Sequence, residues 1–184
     1  GALTDMWDEI LKEYNELVYI PMSSGLSGTY STAAALSEEY NGRVFVADSR
    51  RISVTLYSDV FRALRLAESG LSAAEITEDL NRSADMQSIY VAVNTLEHLK
   101  KSGRVTAAGA AIGTLLGIKP VLQIQGGKLD AYKKVRGMKS AADAMLDGIE
   151  NDLKTRFAGK KVQIRVAFSG NRKNGEDWRQ AVAN

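Results

Sequence analysis

The chain has 184 residues, a formal net charge of +2 and no cysteine. A hydrophobic fraction of 45% and a charged fraction of 25% are typical of a folded globular protein. The small net charge disfavours a nucleic-acid binder, which usually carries a concentrated basic surface. The lack of cysteine excludes thiol catalysis, disulfides and cysteine-ligated zinc, and it favours a reducing compartment, so we expect a cytoplasmic protein. No segment reaches the roughly 20 apolar residues that span a bilayer, so we expect no stable membrane insertion.

The first half of the sequence predicts helices that alternate with strands. The predicted elements are helix 5–15, strand 17–22, turn 23–29, helix 30–40, strand 43–47, helix 54–69 and helix 73–82. Gly70 is expected to end the helix before it, and Ser72 with Glu75 forms a capping box for the last helix. Such alternation predicts a parallel sheet, so residues 1–86 are interpreted as a parallel-sheet α/β lobe.

The second half predicts a different arrangement of strands. The predicted elements are strand 88–93, helix 95–101, a small-residue segment at 106–117, strands 121–125 and 129–135, helix 139–157, strand 162–168, loop 169–175 and helix 176–183. Asn94 with Glu97 is expected to cap the first of these helices. The Gly126-Gly127-Lys128 turn is a hairpin signal, so residues 87–184 are interpreted as a mixed, partly antiparallel α/β lobe.

The turn at 23–29 has the composition of an anion-binding loop. A loop between the end of a parallel strand and the start of a helix offers backbone N–H donors and a positive dipole end. Hydroxyl groups add donors, while glycines allow a tight turn and close approach of a ligand. The predicted ligand-binding residues are Ser23, Ser24, Gly25, Ser27, Gly28 and Thr29. This chemistry suits a carboxylate or a phosphate.

Several other functions compete with anion binding at this turn. The sequence has neither the dinucleotide-binding glycine pattern nor a P-loop, so nucleotide binding is disfavoured. The single histidine, His98, lies on another predicted helix, and this disfavours serine hydrolysis. An α/β enzyme that uses Ser24 or Ser27 on an acyl or phosphorylated substrate remains an alternative. A structural, serine-rich helix start in an interaction module is a second alternative.

A set of motifs, in order along the chain, resembles the DegV family. The chain contains Ile20-Pro21-Met22-Ser23-Ser24-Gly25-Leu26-Ser27-Gly28-Thr29-Tyr30, Val46-Ala47-Asp48-Ser49-Arg50, Thr95-Leu96-Glu97-His98-Leu99-Lys100-Lys101-Ser102-Gly103-Arg104, Leu115-Leu116-Gly117-Ile118-Lys119-Pro120-Val121-Leu122 and Lys133-Lys134-Val135-Arg136-Gly137. The first segment is the most specific, and together the segments extend over nearly the whole chain.

The resemblance implies a two-lobed DegV-like α/β fold that encloses a long-chain fatty acid between its lobes. It also implies that Ser24 holds the fatty-acid carboxylate. Such proteins present the fatty acid to a separate fatty-acid kinase for phospholipid synthesis, in bacteria that have this enzyme, and catalyse nothing themselves. The expected chain is therefore a carrier with a bound lipid, without a cofactor or a metal.

Two cations and one small-residue segment each allow a functional and a purely structural interpretation. Arg104 and Arg136 could pair with an acidic surface of the kinase, or they could be solvated charges. The segment at 107–118 could line an acyl tunnel, although such segments more often serve helix packing.

The two ends of the sequence depart from the family pattern. Complete members usually begin with a strand that carries Asp-Ser and a Thr-Ser-Gln-Pro-like loop, and end with a His-Thr-Gly-Pro-Gly-like segment near the ligand. None of these lies between Gly1 and Asn184, so the resemblance predicts a fragment that lacks both terminal parts. Apolar surface uncovered by such a loss would favour a homodimer.

Overall fold

The computed structural model describes residues 1–111 and 117–183, which divide into two compact units, Gly1–Gln87 and Ser88–Asn184. The first unit contains α1 (Ala2–Glu13), β1 (Leu17–Tyr19), α2 (Thr29–Ser37), a 3-10 turn (Glu38–Tyr40), β2 (Val44–Val46), α3 (Ser53–Glu68) and α4 (Ala73–Arg82). The second unit contains β3 (Ile89–Ala92), α5 (Glu97–Ser102), α6 (Ala107–Ala110), β4 (Ile118–Ile124), β5 (Asp130–Arg136), α7 (Gly137–Lys154) and α8 (Arg172–Ala183). The predicted α/β class is confirmed.

The first unit is built on a short parallel sheet, as predicted. Strands β1 and β2 are paired so that Leu17 is opposite Val44. Successive side chains of a strand point to opposite faces, so both faces of this sheet need a cover. On one face Trp7 of α1 is fully buried, and its ring lies 5.5 Å from the ring of Tyr19. On the other face Leu80 of α4 is fully buried in a second apolar cluster.

The connection between α3 and α4 follows the sequence signals closely. Gly70 has a φ of +89°, a left-handed conformation that favours glycine and ends α3. The backbone N–H of Ser72 donates to the Glu75 carboxylate at 2.8 Å, and the Glu75 N–H donates to the Ser72 hydroxyl. The predicted capping box is therefore confirmed.

The second unit is built on an antiparallel sheet in the order β3-β4-β5. Strands β4 and β5 form the predicted hairpin, with Gln123 opposite Asp130. Val121 is fully buried and packs against Ala141 and Met145 of α7. Helix α7 covers one face of the sheet. This unit therefore matches the predicted antiparallel character.

A buried polar network joins β3 to α7. The Tyr90 hydroxyl donates to the carboxylate of buried Asp152 at 2.9 Å, and the Gln125 amide donates to the Tyr90 oxygen at 3.3 Å. Burial and the neighbouring Asp152 raise the pKa of Tyr90 above its ordinary value. The Tyr90 hydroxyl thus remains a donor that satisfies the Asp152 carboxylate.

The predicted strand at 162–168 is wrong. The alternation of Val162, Ile164 and Phe168 suggested a strand, but these side chains are exposed and residues 161–169 have no regular structure. A strand requires a neighbour for its backbone hydrogen bonds, and the described part of the chain pairs none with this segment. The Phe168 ring instead lies against Gly175 of α8.

Two helix starts also differ from the prediction. Helix α8 begins at Arg172, inside the predicted loop 169–175, and its first turn carries ion pairs such as Lys173 with Asp177 at 2.8 Å. Asn94 does not cap α5, because its side chain accepts a hydrogen bond from Lys119. The Thr95 hydroxyl instead accepts the backbone N–H of Glu97.

The small-residue segment is only partly described. Gly109 of α6 is buried, and a methyl group there would meet the Val105 side chain, so this part serves close packing. Residues 112–116 of the predicted tunnel segment lie outside the described residues, so the tunnel role stays a prediction.

An apolar stripe on α3 is exposed. Tyr57, Val60, Phe61 and Leu64 recur at the spacing of one helical face, and each is more than two-fifths exposed. The predicted homodimer stays a prediction, since the structure contains one chain. Among the described helices, none combines the length and the apolarity that crossing a membrane requires.

Gly148→Ala is expected to destabilise the second unit. An added Cβ would lie 2.7 Å from Cε1 of Tyr90, so the free energy of unfolding should fall by about 1–3 kcal/mol. Helix propensity alone would favour alanine by about 1 kcal/mol, which makes a loss diagnostic. Gly126→Ala is the control, because nothing lies within 4 Å of its Cβ position. Urea denaturation of both variants measures the difference; equal stabilities would contradict the packing described.

Candidate functional site

The serine-rich loop connects β1 to α2, and Ser23 forms its buried base. Ser23 is fully buried, and its N–H donates to the Arg51 carbonyl at 2.9 Å. Its carbonyl accepts the N–H groups of Leu26 and Ser27, while its hydroxyl accepts the N–H of Gly25. Ser23 and Gly25 therefore shape the loop from within, and a direct ligand contact by either stays a prediction.

Ser24 is exposed, and both of its donors are aimed at one carboxylate. The Ser24 hydroxyl donates to Oδ2 of Asp48 at 2.6 Å, and the Ser24 N–H donates to Oδ1 of Asp48 at 3.2 Å. A charge-assisted O–H···O bond of this length is a strong one. The geometry at Ser24 is thus that of a two-point carboxylate grip, with an internal carboxylate in it.

Ser27, Gly28 and Thr29 form the start of α2. The Ser27 hydroxyl accepts the Thr29 N–H at 3.2 Å and lies 2.8 Å from the Thr29 hydroxyl. The first N–H groups of a helix have no acceptor within the helix, and Ser27 satisfies the first of them. This end of α2 carries the positive pole of the helix dipole, which favours an anion at the loop.

The backbone conformation at Gly28 does not require a glycine. Its φ of −71° is open to any residue, so the tight-turn reason for this glycine is wrong. Nothing lies within 4 Å of its Cβ position, which leaves open space beside the loop. The second reason, close approach of a ligand, stays a prediction.

The segment after β2 carries Asp48 and is fixed by several side chains. The Asp48 N–H donates to the Asn81 side chain at 2.8 Å, and buried Gln87 donates to the Arg50 carbonyl at 2.9 Å. Arg50 has a φ of +51°, a strained conformation for a residue with a side chain, and it forms an ion pair with Asp85 at 3.2 Å. These contacts fix the backbone beneath the Asp48 carboxylate.

A buried ion pair anchors the same segment. The Arg51 and Asp59 side chains are 11% and 2% exposed, and their nearest charged atoms are 3.2 Å apart. Burial raises the pKa of Asp59 above its ordinary value, and the Ser49 hydroxyl and the Arg51 charge oppose that shift. Arg51 also donates to the Ser83 carbonyl at 3.0 Å, which ties the segment to the end of α4.

The remaining predicted residues belong to the second unit. Arg104 is exposed after α5, and its guanidinium donates to the Ser102 carbonyl. Arg136 is exposed at the end of β5, just before α7. His98 is exposed and lies on α5, the helix predicted for it. A role of either arginine in partner binding stays a prediction.

A polar depression lies elsewhere on the first unit. Its volume is about 400 Å³, and none of the loop residues line it. Its lining residues are Asp8, Leu11, Lys12, Glu39, Tyr40, Asn41 and Arg43. The Arg43 guanidinium donates to the Leu11 and Tyr14 carbonyls at the end of α1, so this cation serves the helix terminus. We assign no ligand to this depression.

Asp48 is the main site residue that the sequence did not predict. It belongs to the family-like segment Val46-Ala47-Asp48-Ser49-Arg50, but no contact with Ser24 or with a ligand was expected of it. A signal existed, because the carboxyl ends of neighbouring parallel strands meet at one edge of a sheet. With Tyr19 opposite Val46, the residues that follow these strands lie together at that edge, and Ser24 and Asp48 are among them. Arg51 and Asp59 gave no such signal, because their pairing depends on how α3 folds back.

Arg51→Met is expected to destabilise the first unit strongly. It leaves the Asp59 carboxylate buried without its cation, so the free energy of unfolding should fall by about 3–5 kcal/mol. Lys154→Met is the control, because it breaks an exposed pair with Glu150 that is worth about 1 kcal/mol or less. Urea denaturation compares the two; a loss at Arg51 no larger than the control would contradict the anchoring role.

The family model described as "Uncharacterised protein, DegV family" matches residues 1–184. A DegV domain-containing protein of Deinococcus radiodurans is 33% identical over 174 residues, which are 95% of this chain and 60% of the relative. The chain thus spans less than two thirds of that relative's length.

Two solved structures are also similar to the chain. One is a DegV family protein of Thermus thermophilus for which fatty-acid binding is described. It matches with a TM-score of 0.72 and 33% identity, and the match covers 82% of this chain and 54% of that protein. A fatty-acid-binding DegV family protein of Streptococcus agalactiae matches with a TM-score of 0.83 and 26% identity over 99% and 64%. Together with the match over residues 1–184, these similarities establish that the chain belongs to the DegV family.

Proposed function

We propose that the chain binds a long-chain fatty acid and holds its carboxylate at Ser24. The observation that carries this proposal is the two-point contact between Ser24 and Asp48, in which a hydroxyl and a backbone N–H grip one carboxylate. A lipid carboxylate presents the same pair of oxygens. The fatty-acid binding described for the similar Thermus and Streptococcus proteins supports this choice of ligand.

The head-group contact and the acyl tail have different energetic roles. A sixteen-carbon tail offers on the order of 10 kcal/mol at about 0.8 kcal/mol per buried methylene, before the costs of binding. A hydrogen bond to a charged group contributes only about 1.5–3 kcal/mol. The tail therefore sets most of the affinity, and Ser24 determines which end of the lipid is held at the loop. That the tail lies between the two lobes stays a prediction from the family resemblance.

The chain acts as a carrier rather than an enzyme in this proposal. The hydroxyl of Ser24 is bonded to a carboxylate, which is a weak base for removing an alcohol proton, and His98 lies in the other unit. In bacteria with a fatty-acid kinase, the held carboxylate would be presented to that enzyme for phosphorylation and phospholipid synthesis. Arg104 and Arg136 would contact an acidic surface of the kinase, because both are exposed cations.

Ser24→Ala is expected to weaken binding of hexadecanoate by about tenfold, because one hydrogen bond to the carboxylate is lost. The loss should lie near the lower end of the range of about 1.5–3 kcal/mol for such a bond, because Asp48 uses the same hydroxyl in the free chain. Ser37→Ala is the control, because that hydroxyl donates to the Ala34 carbonyl at the far end of α2. Calorimetric titration of delipidated protein measures both; failure of the parent chain to bind any long-chain fatty acid would refute the proposal.

Charge reversal tests the kinase surface separately. Arg104→Glu with Arg136→Glu should slow phosphorylation of the carried fatty acid by about three- to tenfold, because rim charges act mainly on the rate of association. The dissociation constant for hexadecanoate should not change. Lys160→Glu, another exposed cation of the second unit, is the control. Kinase assays at two salt concentrations give the comparison; an unchanged rate would exclude these arginines from the contact.

A further inference from the structure

The Asp48 carboxylate occupies both donors that the proposed function assigns to a lipid carboxylate. Its Oδ2 is 2.6 Å from the Ser24 hydroxyl oxygen and its Oδ1 is 3.2 Å from the Ser24 nitrogen. Ser24 has one hydroxyl proton and one N–H to donate. A ligand cannot receive both while Asp48 retains them, so ligand and aspartate exclude one another at Ser24.

Asp48 can leave Ser24 without a change in the backbone. Its main chain is held by the Asn81 amide oxygen, which accepts the Asp48 N–H at 2.8 Å. The side chain is only half-buried, and side chains of this kind move between staggered rotamers. The carboxylate can therefore turn towards solvent while β2 and α4 remain as they are. Because it belongs to the chain, it returns to Ser24 at a high effective concentration when the ligand leaves.

Electrostatic repulsion between the two carboxylates also favours the displacement. Two carboxylates that share the donors of one serine would lie about 4 Å apart, where like charges repel appreciably outside bulk water. The paired cations nearby are engaged with other partners, Arg51 with Asp59 and Arg50 with Asp85. The site therefore accepts one carboxylate at a time.

Resting on the proposed function, we infer that Asp48 is an internal competitor that regulates fatty-acid binding at Ser24. In the free chain it satisfies the Ser24 donors, and the incoming carboxylate must displace it. The competitor thereby raises the ligand concentration that is needed to fill the site. A lipid with a neutral head group competes poorly for donors already bonded to a charged oxygen, so the competition with Asp48 affects acids rather than alcohols and esters.

A double-mutant cycle tests this inference. Asp48→Ala should bind hexadecanoate about tenfold more tightly than the parent chain, because the competitor and its charge are removed. Asp48→Asn, which keeps the shape and loses the charge, should show a smaller gain. In the Asp48→Ala background, Ser24→Ala should cost more affinity than it does in the parent chain, because the hydroxyl then serves the ligand alone.

Hexadecan-1-ol is the matched probe, since it has the same tail and no carboxylate. Its dissociation constant should change by less than about twofold on Asp48→Ala, and thermal unfolding of each variant checks that the fold is retained. Equal or weaker hexadecanoate binding by Asp48→Ala would overturn the inference while leaving the carrier proposal intact. No hexadecanoate binding by the parent chain or any variant would overturn the proposed function and this inference with it.

Discussion

Arg51 holds together the part of the molecule on which the candidate site depends. Its guanidinium pairs with buried Asp59 of α3 and donates to the Ser83 carbonyl after α4, and its own carbonyl accepts the Ser23 N–H. One residue thus links the serine loop to two helices. A buried pair of this kind is costly to break, because the remaining charge would be left without a partner. The loop therefore has a defined shape before any ligand binds.

The same anchoring explains why Asp48 and Ser24 stay in contact although neither side chain is buried. The segment after β2 places Asp48 against Ser24, and contacts with Asn81 and Gln87 keep its backbone there. The strained φ of Arg50 is tolerated because the surrounding hydrogen bonds determine it. The two Ser24 donors are therefore already arranged around a carboxylate in this chain, and we propose that this internal carboxylate limits access of a ligand to them.

The fold could be predicted from the sequence where local signals and burial agree. The β4–β5 hairpin and the α3–α4 connection follow from Gly126-Gly127-Lys128 and from Ser72 with Glu75, since these contacts form between near neighbours. The strand at 162–168 could not be judged in this way. Its alternating side chains fit a strand, yet a strand exists only when another backbone pairs with it, and sequence pattern does not report a missing partner.

The sequence by itself determined the class of the chain, the order of most of its elements and the residue types of the loop. Helical period, strand alternation and the serine–glycine motif depend only on residues that are close together in the sequence. The resemblance to the family rests on the same local segments. Only the tertiary structure decided that Ser24 meets Asp48 and that Arg51 meets Asp59. Those pairs join residues from different elements, so they depend on strand register and helix packing, which are set by the burial of apolar residues far from the site.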